Sequence, residues 1–187
     1  LAGIVRYGSY VPYFRLQRAA IGAGKGERAV ASYDEDSVSM AVEAARDAVR
    51  GAAPPDMLVF ATISPAYAEK LDAATIQAAL DLPEEMGSVQ LGNTTRAGVS
   101  GLLLGLDLAK GGRSTLVCAS DVTVGAPYGG RESQGGDAAC AFLTGGDDDA
   151  VARLLGHASR TIEILDVWRL PEDRFAKQWE ERFIADT

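Results

Sequence analysis

Gly92–Lys110 reads GNTTRAGVSGLLLGLDLAK. A polar turn runs directly into a segment of small residues and leucines long enough for a helix. Gly98, Ser100, Gly101 and Gly105 leave one helical face nearly bare. Glycine inside a helix costs about 1 kcal/mol relative to alanine, so the pattern implies close approach of another backbone. Leu102, Leu103, Leu104, Leu106 and Leu108 surround that face. The spacing predicts a helix over 98–110, buried on all sides and stopped by Gly111-Gly112. A buried helix start presents free N–H groups and a positive dipole end, where an enzyme holds a nucleophile or an oxyanion. Thr95 is therefore the candidate catalytic residue, and Thr94 a candidate substrate contact. Three roles stay open for Thr95: a helix cap, a noncovalent contact to a bound group, or a nucleophile. A hydroxyl is a poor nucleophile without an adjacent base, and a helix dipole supplies only about 1–2 kcal/mol, roughly tenfold in rate.

Working outward, residues 34–51 (DEDSVSMAVEAARDAVRG) predict a helix. Asp36 is its N-cap, and Val38, Ala41, Val42, Ala45 and Val49 form its apolar stripe. DMLVFATIS (56–64) and STLVCASD (114–121) are apolar runs of strand length, the mark of buried strands. GIVRYGSY (3–10) and GSVQLG (87–92) predict further strands, and 72–82 a second helix. RLQRAAIG (15–22) is expected as a short helix. DAACAFLTG (137–145) and AVARLLGHASR (150–160) are expected as paired strands joined by the Asp147-Asp148-Asp149 turn. Strand–helix alternation implies parallel pairing under helices on both faces, a layered α/β/α domain. Residues 1–160 are expected to form this unit and 161–187 an amphipathic, aromatic tail.

The 187 residues are 47% apolar and 24% charged, with a net charge of -8, which opposes nucleic-acid binding. No apolar run reaches the ~20 residues that span a bilayer. The opening LAGIVRYGSYVP lacks the pattern of a signal peptide, and the expected location is cytoplasmic. Cys118 and Cys140 lie in apolar segments and suggest buried thiols. His157 has no second ligand type nearby, and no metal site is expected. GAGKGER (22–28) lacks the Ser or Thr that follows the lysine of a phosphate loop. Lys25 and Arg28 nonetheless stay candidates for a substrate phosphate, against the alternative of a solvated loop.

The segments GIVRYGSYVP, DEDSVSMAVEAARDAV, SPAYAEK, AATIQAALDL, TTRAG, SDVTVGAP and GGDAACAFLTG, in this order and spacing, resemble the N-terminal half of the thiolase superfamily. The branch they resemble is the hydroxymethylglutaryl-CoA synthase-like proteins, relatives of type III ketoacyl synthases. The tail DVWRLPEDRFAKQWEERF resembles the segment that comes after the first half in that branch. The resemblance implies a βαβαβαββ half-module with a mixed five-stranded sheet and a buried central helix. In the family two halves stack as α-β-α-β-α layers, so the second half, with the family's His and Asn, lies outside this sequence. The resemblance also places Gly136-Asp137 at a turn shaping the acyl pocket, with Gly125-Ala126-Pro127 lining it. Lys25 and Arg28 become candidates for the coenzyme A phosphates.

Two departures matter. Where the synthases open the buried helix with an acyl-accepting Cys, this sequence has Thr95-Arg96-Ala97-Gly98. Their general-acid Glu falls at about Ile63, which cannot transfer a proton. The resemblance implies an acyl-CoA-processing protein, degenerate at both positions. It would make or break carbon–carbon bonds in CoA thioesters only together with a second half or partner, with coenzyme A entering as part of the substrate and no tightly bound cofactor. The alternative is a noncatalytic scaffold subunit. Expected partners are a second copy, with 87–92 as the pairing edge, or a thiolase-like or OB-fold/zinc-ribbon acyl-CoA-binding protein.

Overall fold

A computed structural model of the chain describes residues 1–146, 148–162 and 167–178. In chain order it runs β1 (Ala2–Tyr10), β2 (Phe14–Gln17), a 3-10 turn (Arg18–Ile21), β3 (Glu27–Val30), α1 (Ser37–Val49), β4 (Met57–Ala61) and α2 (Asp72–Ala79). There follow β5 (Gly87–Leu91), α3 (Ala97–Lys110), β6 (Thr115–Asp121), α4 (Gly130–Gln134), β7 (Ala138–Gly146) and β8 (Ala152–Arg153). Two short strands, β9 (Val167–Trp168) and β10 (Lys177–Gln178), pair antiparallel by themselves. They fall in the expected tail, of which Trp179 and Phe183 lie outside the described residues.

The main sheet has the order β5-β4-β6-β7-β1-β8. β5, β4 and β6 are parallel, while β7, β1 and β8 add antiparallel pairs. Five strands carry the mixed sheet, as expected, and two-residue β8 adds a sixth. The expected pairing of 137–145 with 150–160 does not form: β8 pairs with the far side of β1, not with β7. Residues 15–22 also depart from expectation, because β2 pairs with β3 as a separate hairpin. Inter-strand bonding overrides the helix propensity of Arg15-Leu16-Gln17, while Arg18–Ile21 keeps one 3-10 turn of the expected helix.

Alternation along each strand serves both faces. Leu58, Phe60, Leu116, Cys118 and Ala141 pack with α1 and α2, around Met40, Ala41, Ala44, Ala45, Ala48 and Ile76. Val59 and Val117 point to α3. α1 begins where the sequence places it: the Asp36 carboxylate accepts from Ser39 N at 2.7 Å, and Ser39 Oγ accepts from Asp36 N at 2.8 Å. This reciprocal pair satisfies two donors that the first turn leaves open.

α3 explains its glycines differently from the expectation. A Cβ on Gly105 would lie 2.8 Å from Val117 Cγ2 and 3.0 Å from Thr144 Oγ1, and one on Gly101 would lie 3.2 Å from Val59 Cγ1. The close approach is to side chains of the sheet, not to another backbone. Only one face is covered: Ala97, Gly101, Gly105, Leu106 and Ala109 are buried, whereas Val99 is 57% and Leu104 37% exposed. The expectation of burial on all sides fails for this chain, since a helix lying on a single sheet buries a single stripe.

Candidate functional site

Because β5, β4 and β6 run parallel, their carboxyl ends open on one edge of the sheet, where ligands of α/β folds collect. Three short segments meet there: Thr62–Ser64 after β4, Gly92–Arg96 after β5, and Asp121–Thr123 at the end of β6. Asp121 joins two of them. Its Oδ1 accepts from Ile63 N at 2.7 Å, Thr62 Oγ1 at 2.9 Å and Ser64 Oγ at 3.1 Å. Ser64 Oγ in turn accepts from Val122 N at 2.8 Å. The third segment is attached through Thr62 N, which donates to Leu91 O at 3.0 Å. It is also held by close packing, since a Cβ on Gly92 would lie 3.2 Å from Thr62 O. An ionised carboxylate holding several donors is a rigid anchor. Asp121 therefore organises this edge, although no spacing in the sequence singles it out. The available signal was chemical: Thr62, Ser64 and Asp121 are polar groups directly following buried apolar strands.

At the start of α3, Thr94 and Thr95 are both exposed. Thr94 shapes the turn: its carbonyl accepts from Ala97 N at 3.0 Å and its Oγ1 from Arg96 N at 3.3 Å. Thr95 makes no cap. The residue flanking the helix is Arg96, and no side chain caps it. The cap role for Thr95 is therefore corrected: the turn is closed by Thr94, and the exposed Thr95 does not cap the helix. A Cβ on Gly98 would touch Ala119 Cβ at 3.4 Å, so the first turn of α3 sits beside the end of β6. Ile63, where the resemblance expects a carboxylic acid, contributes only its backbone N–H to Asp121.

The other candidates are drawn into structure. Asp137 is 4% exposed. Its Oδ2 accepts from Ala31 N at 2.8 Å and its Oδ1 from Thr123 N at 2.7 Å. Both carboxylate oxygens of Asp137 thus face backbone amides, while neighbouring Gly136 is exposed. Arg28 turns inward, with Nη1 3.9 Å from Asp137 Oδ1, so it is not part of a solvated face. Lys25 is exposed in a turn between Gly24 and Gly26, both at positive φ. Gly125 packs against the backbone of Glu132 at α4, where a side chain has no room. Ala126 accepts from Gly129 N at 2.8 Å, and Pro127 is exposed. A cleft of about 150 Å³ opens between Ile21, Gly22 and Ala23 on one side and Tyr128, Glu132 and Ser133 on the other. Lys25 and Gly125–Pro127 flank these walls in sequence, whereas Thr94 and Thr95 do not line them.

Neither thiol is placed to act as a nucleophile. Burial pushes the Cys118 thiol up to about 12, and raises that of Cys140 as well. The two sulfurs lie on opposite faces of the sheet, because Cys118 pairs with Ala141 and Cys140 with Ala119. His157 is exposed. Among the described residues no group of three His, Cys, Asp or Glu side chains is arranged to hold a metal, and no helix is long and apolar enough to cross a membrane.

Comparison with known proteins bears on this edge. The chain is 30% identical over 188 residues to hydroxymethylglutaryl-CoA synthase of Methanocaldococcus jannaschii, covering 90% of this chain and 54% of that protein. It is 28% identical over 189 residues to the synthase of Pyrococcus furiosus, covering 94% of this chain and 54% of that protein. Among solved structures, MvaS in complex with 3-hydroxy-3-methylglutaryl coenzyme A matches with a TM-score of 0.83 at 25% identity, over 95% of this chain and 48% of that one. The 3-oxoacyl-(acyl carrier protein) synthase III of Pseudomonas aeruginosa shares the fold, with a TM-score of 0.68 at 24% identity, over 79% of this chain and 51% of that one. No family model matches. The chain spans about half the length of the curated relatives it matches.

Proposed function

From the premise that this chain is a hydroxymethylglutaryl-CoA synthase-like N-terminal half of a thiolase-like module, we propose that it acts on acyl-CoA thioesters together with a second half-module or partner chain. It makes or breaks a carbon–carbon bond without a cysteine nucleophile. The observation that carries this reading is the carboxyl edge. The anchor built on Asp121 is complete, α3 starts beside it with no capping side chain, and an exposed Thr95 stands where the resemblance expects the acyl-accepting Cys.

In this chemistry the open helix start and the Thr95 hydroxyl receive the thioester carbonyl oxygen, on which charge develops during bond making or cleavage. Thr94 holds the turn that aims them. Among the described residues Thr95 has no base beside it, and it donates a hydrogen bond rather than forming an acyl-enzyme. Ile63 supplies no proton, so proton transfer falls to groups other than the described residues of this edge. Lys25 and the segment Gly125–Pro127 flank the path of the coenzyme A moiety. A cytoplasmic location accords with such a substrate.

The test is turnover by the complete assembly with panels of acyl-CoA and 3-hydroxyacyl-CoA thioesters, for the native protein and Thr95→Ala. Loss of one substrate hydrogen bond is worth about 0.5–1.5 kcal/mol, so Thr95→Ala should slow turnover roughly two- to tenfold. A loss of many orders of magnitude, with an adduct on residue 95, would instead indicate an acyl-enzyme. No turnover and no thioester binding by any assembly ends the proposal.

A second reading, a noncatalytic scaffold subunit, draws on the exposed Val99 and Leu104 of α3 and the 65% exposed Tyr7. Stable co-purification with a thiolase-like or OB-fold/zinc-ribbon partner, without thioester chemistry, would favour it.

A further inference from the structure

We infer that Asp137 is a positioning residue: it ties the β2–β3 hairpin to the 122–136 loop and so sets the width of the cleft between them. The hairpin is otherwise self-contained. Gln17 Nε2 donates to Glu27 Oε2 at 2.8 Å, Arg15 pairs with Glu27, and Arg18 N donates to Gly26 O at 2.9 Å, all within it. Among the described residues, Arg15 Nη1 donates to the carbonyls of the adjoining Pro12 and Tyr13, and the polar attachments of residues 14–31 to more distant parts of the fold run through Asp137. Its Oδ2 accepts from Ala31 N, its backbone N donates to Ala29 O at 3.1 Å, and its Oδ1 lies 3.9 Å from Arg28 Nη1.

The same carboxylate holds the facing loop. Oδ1 accepts from Thr123 N at 2.7 Å, and Thr123 Oγ1 donates to Gly136 O at 3.1 Å, so the two ends of the loop close on each other. A compact loop with joined ends moves as one body. Its far side is stiffened as well: Tyr128, at φ 64, is held by the bond from its N–H to Glu132 Oε2 at 2.8 Å. One wall of the cleft is therefore the hairpin turn at Ile21–Ala23, and the other is the loop at Tyr128–Ser133. The carboxylate uses one oxygen for each wall. An asparagine at 137 keeps one acceptor oxygen and cannot hold both backbone amides.

The clamp stands on the geometry alone; its role in substrate handling rests on the proposed acyl-CoA function. Hydrogen exchange of the intact assembly, native and Asp137→Asn, tests it. Losing a charge-assisted hydrogen bond should speed exchange in residues 14–31 and 122–136 roughly ten- to a hundredfold, with β4 and β6 unchanged. Unchanged hairpin exchange, or equal loosening of the whole sheet, overturns the inference. If the variant does not fold, the native protein still decides: the Ala31 and Thr123 amides should exchange through one shared opening, and independent opening overturns the clamp. Coenzyme A titration separates the two readings. Absence of binding to the native assembly defeats the proposed function and leaves the clamp standing. Equal binding to a loosened Asp137→Asn protein defeats the cleft-setting role.

Discussion

A carboxylate can hold a proton, a metal or a backbone, and its partners decide which. At Asp121 and Asp137 the hydrogen-bond partners are amide N–H and hydroxyl groups of this chain, with the Arg28 guanidinium beside Asp137, so both residues organise loops. Asp121 gathers the edge beside the start of α3, and Asp137 joins the hairpin to the loop. Neither was legible as an anchor in the sequence, because their partners are distant in the chain; the Thr123 and Ala31 amides are 14 and 106 residues from Asp137. The cysteines were legible, since STLVCASD and DAACAFLTG are core patterns. With Cys118 raised to about 12 by burial and Cys140 raised in the same direction, the thiolate fraction at neutral pH is minute. Iodoacetamide at pH 7–8 should leave Cys118 unmodified in the folded protein and alkylate it promptly in denaturant. Prompt native-state modification would refute its burial. The helix start near Thr95 was legible but its missing cap was not, because capping depends on a backbone angle that residue type alone leaves open.

At the scale of elements, contact distance explains both the successes and the failures of reading. The stripe of Val38, Ala41, Val42 and Ala45, with Asp36 ahead of it, identifies α1 because helix period and cap chemistry agree. β2 was missed, and β8, expected as a strand within 150–160, was given the wrong partner, because each pairs with residues that the local sequence does not point to. The glycines of α3 correctly signalled close packing, while the sheet side chains they meet lie on four strands, β4, β5, β6 and β7. Gly8 offers a sharp test. A Cβ there would collide with the Ala44 carbonyl oxygen, and backbone on both sides leaves little room to yield. Gly8→Ala should therefore destabilise the chain by about 1–3 kcal/mol. Gly87→Ala, where a Cβ meets nothing within 4 Å, should change stability by less than about 0.5 kcal/mol. Denaturant melts of the two variants make the comparison, and equal midpoints would contradict the packing of α1 on β1.

For the whole molecule, the order β5-β4-β6-β7-β1-β8 places one edge where three parallel strands end, and among the described residues α3 is the one helix on the face of Val59 and Val117. Gly8 faces α1, so Tyr7 projects to the face of the sheet that carries α3. Val99, Leu104 and Tyr7, all exposed, accord with a module completed by further chain. The half-length match to the relatives supports the same reading. The most direct measurement is a crystal structure of the complete assembly with a bound acyl-CoA. The thioester carbon should lie in contact with Thr95 and the first turn of α3, beside Thr62–Ser64 and Asp121, with no covalent bond to the chain. Density for the thioester away from that edge, or none on an assembly saturated with ligand, would contradict the account.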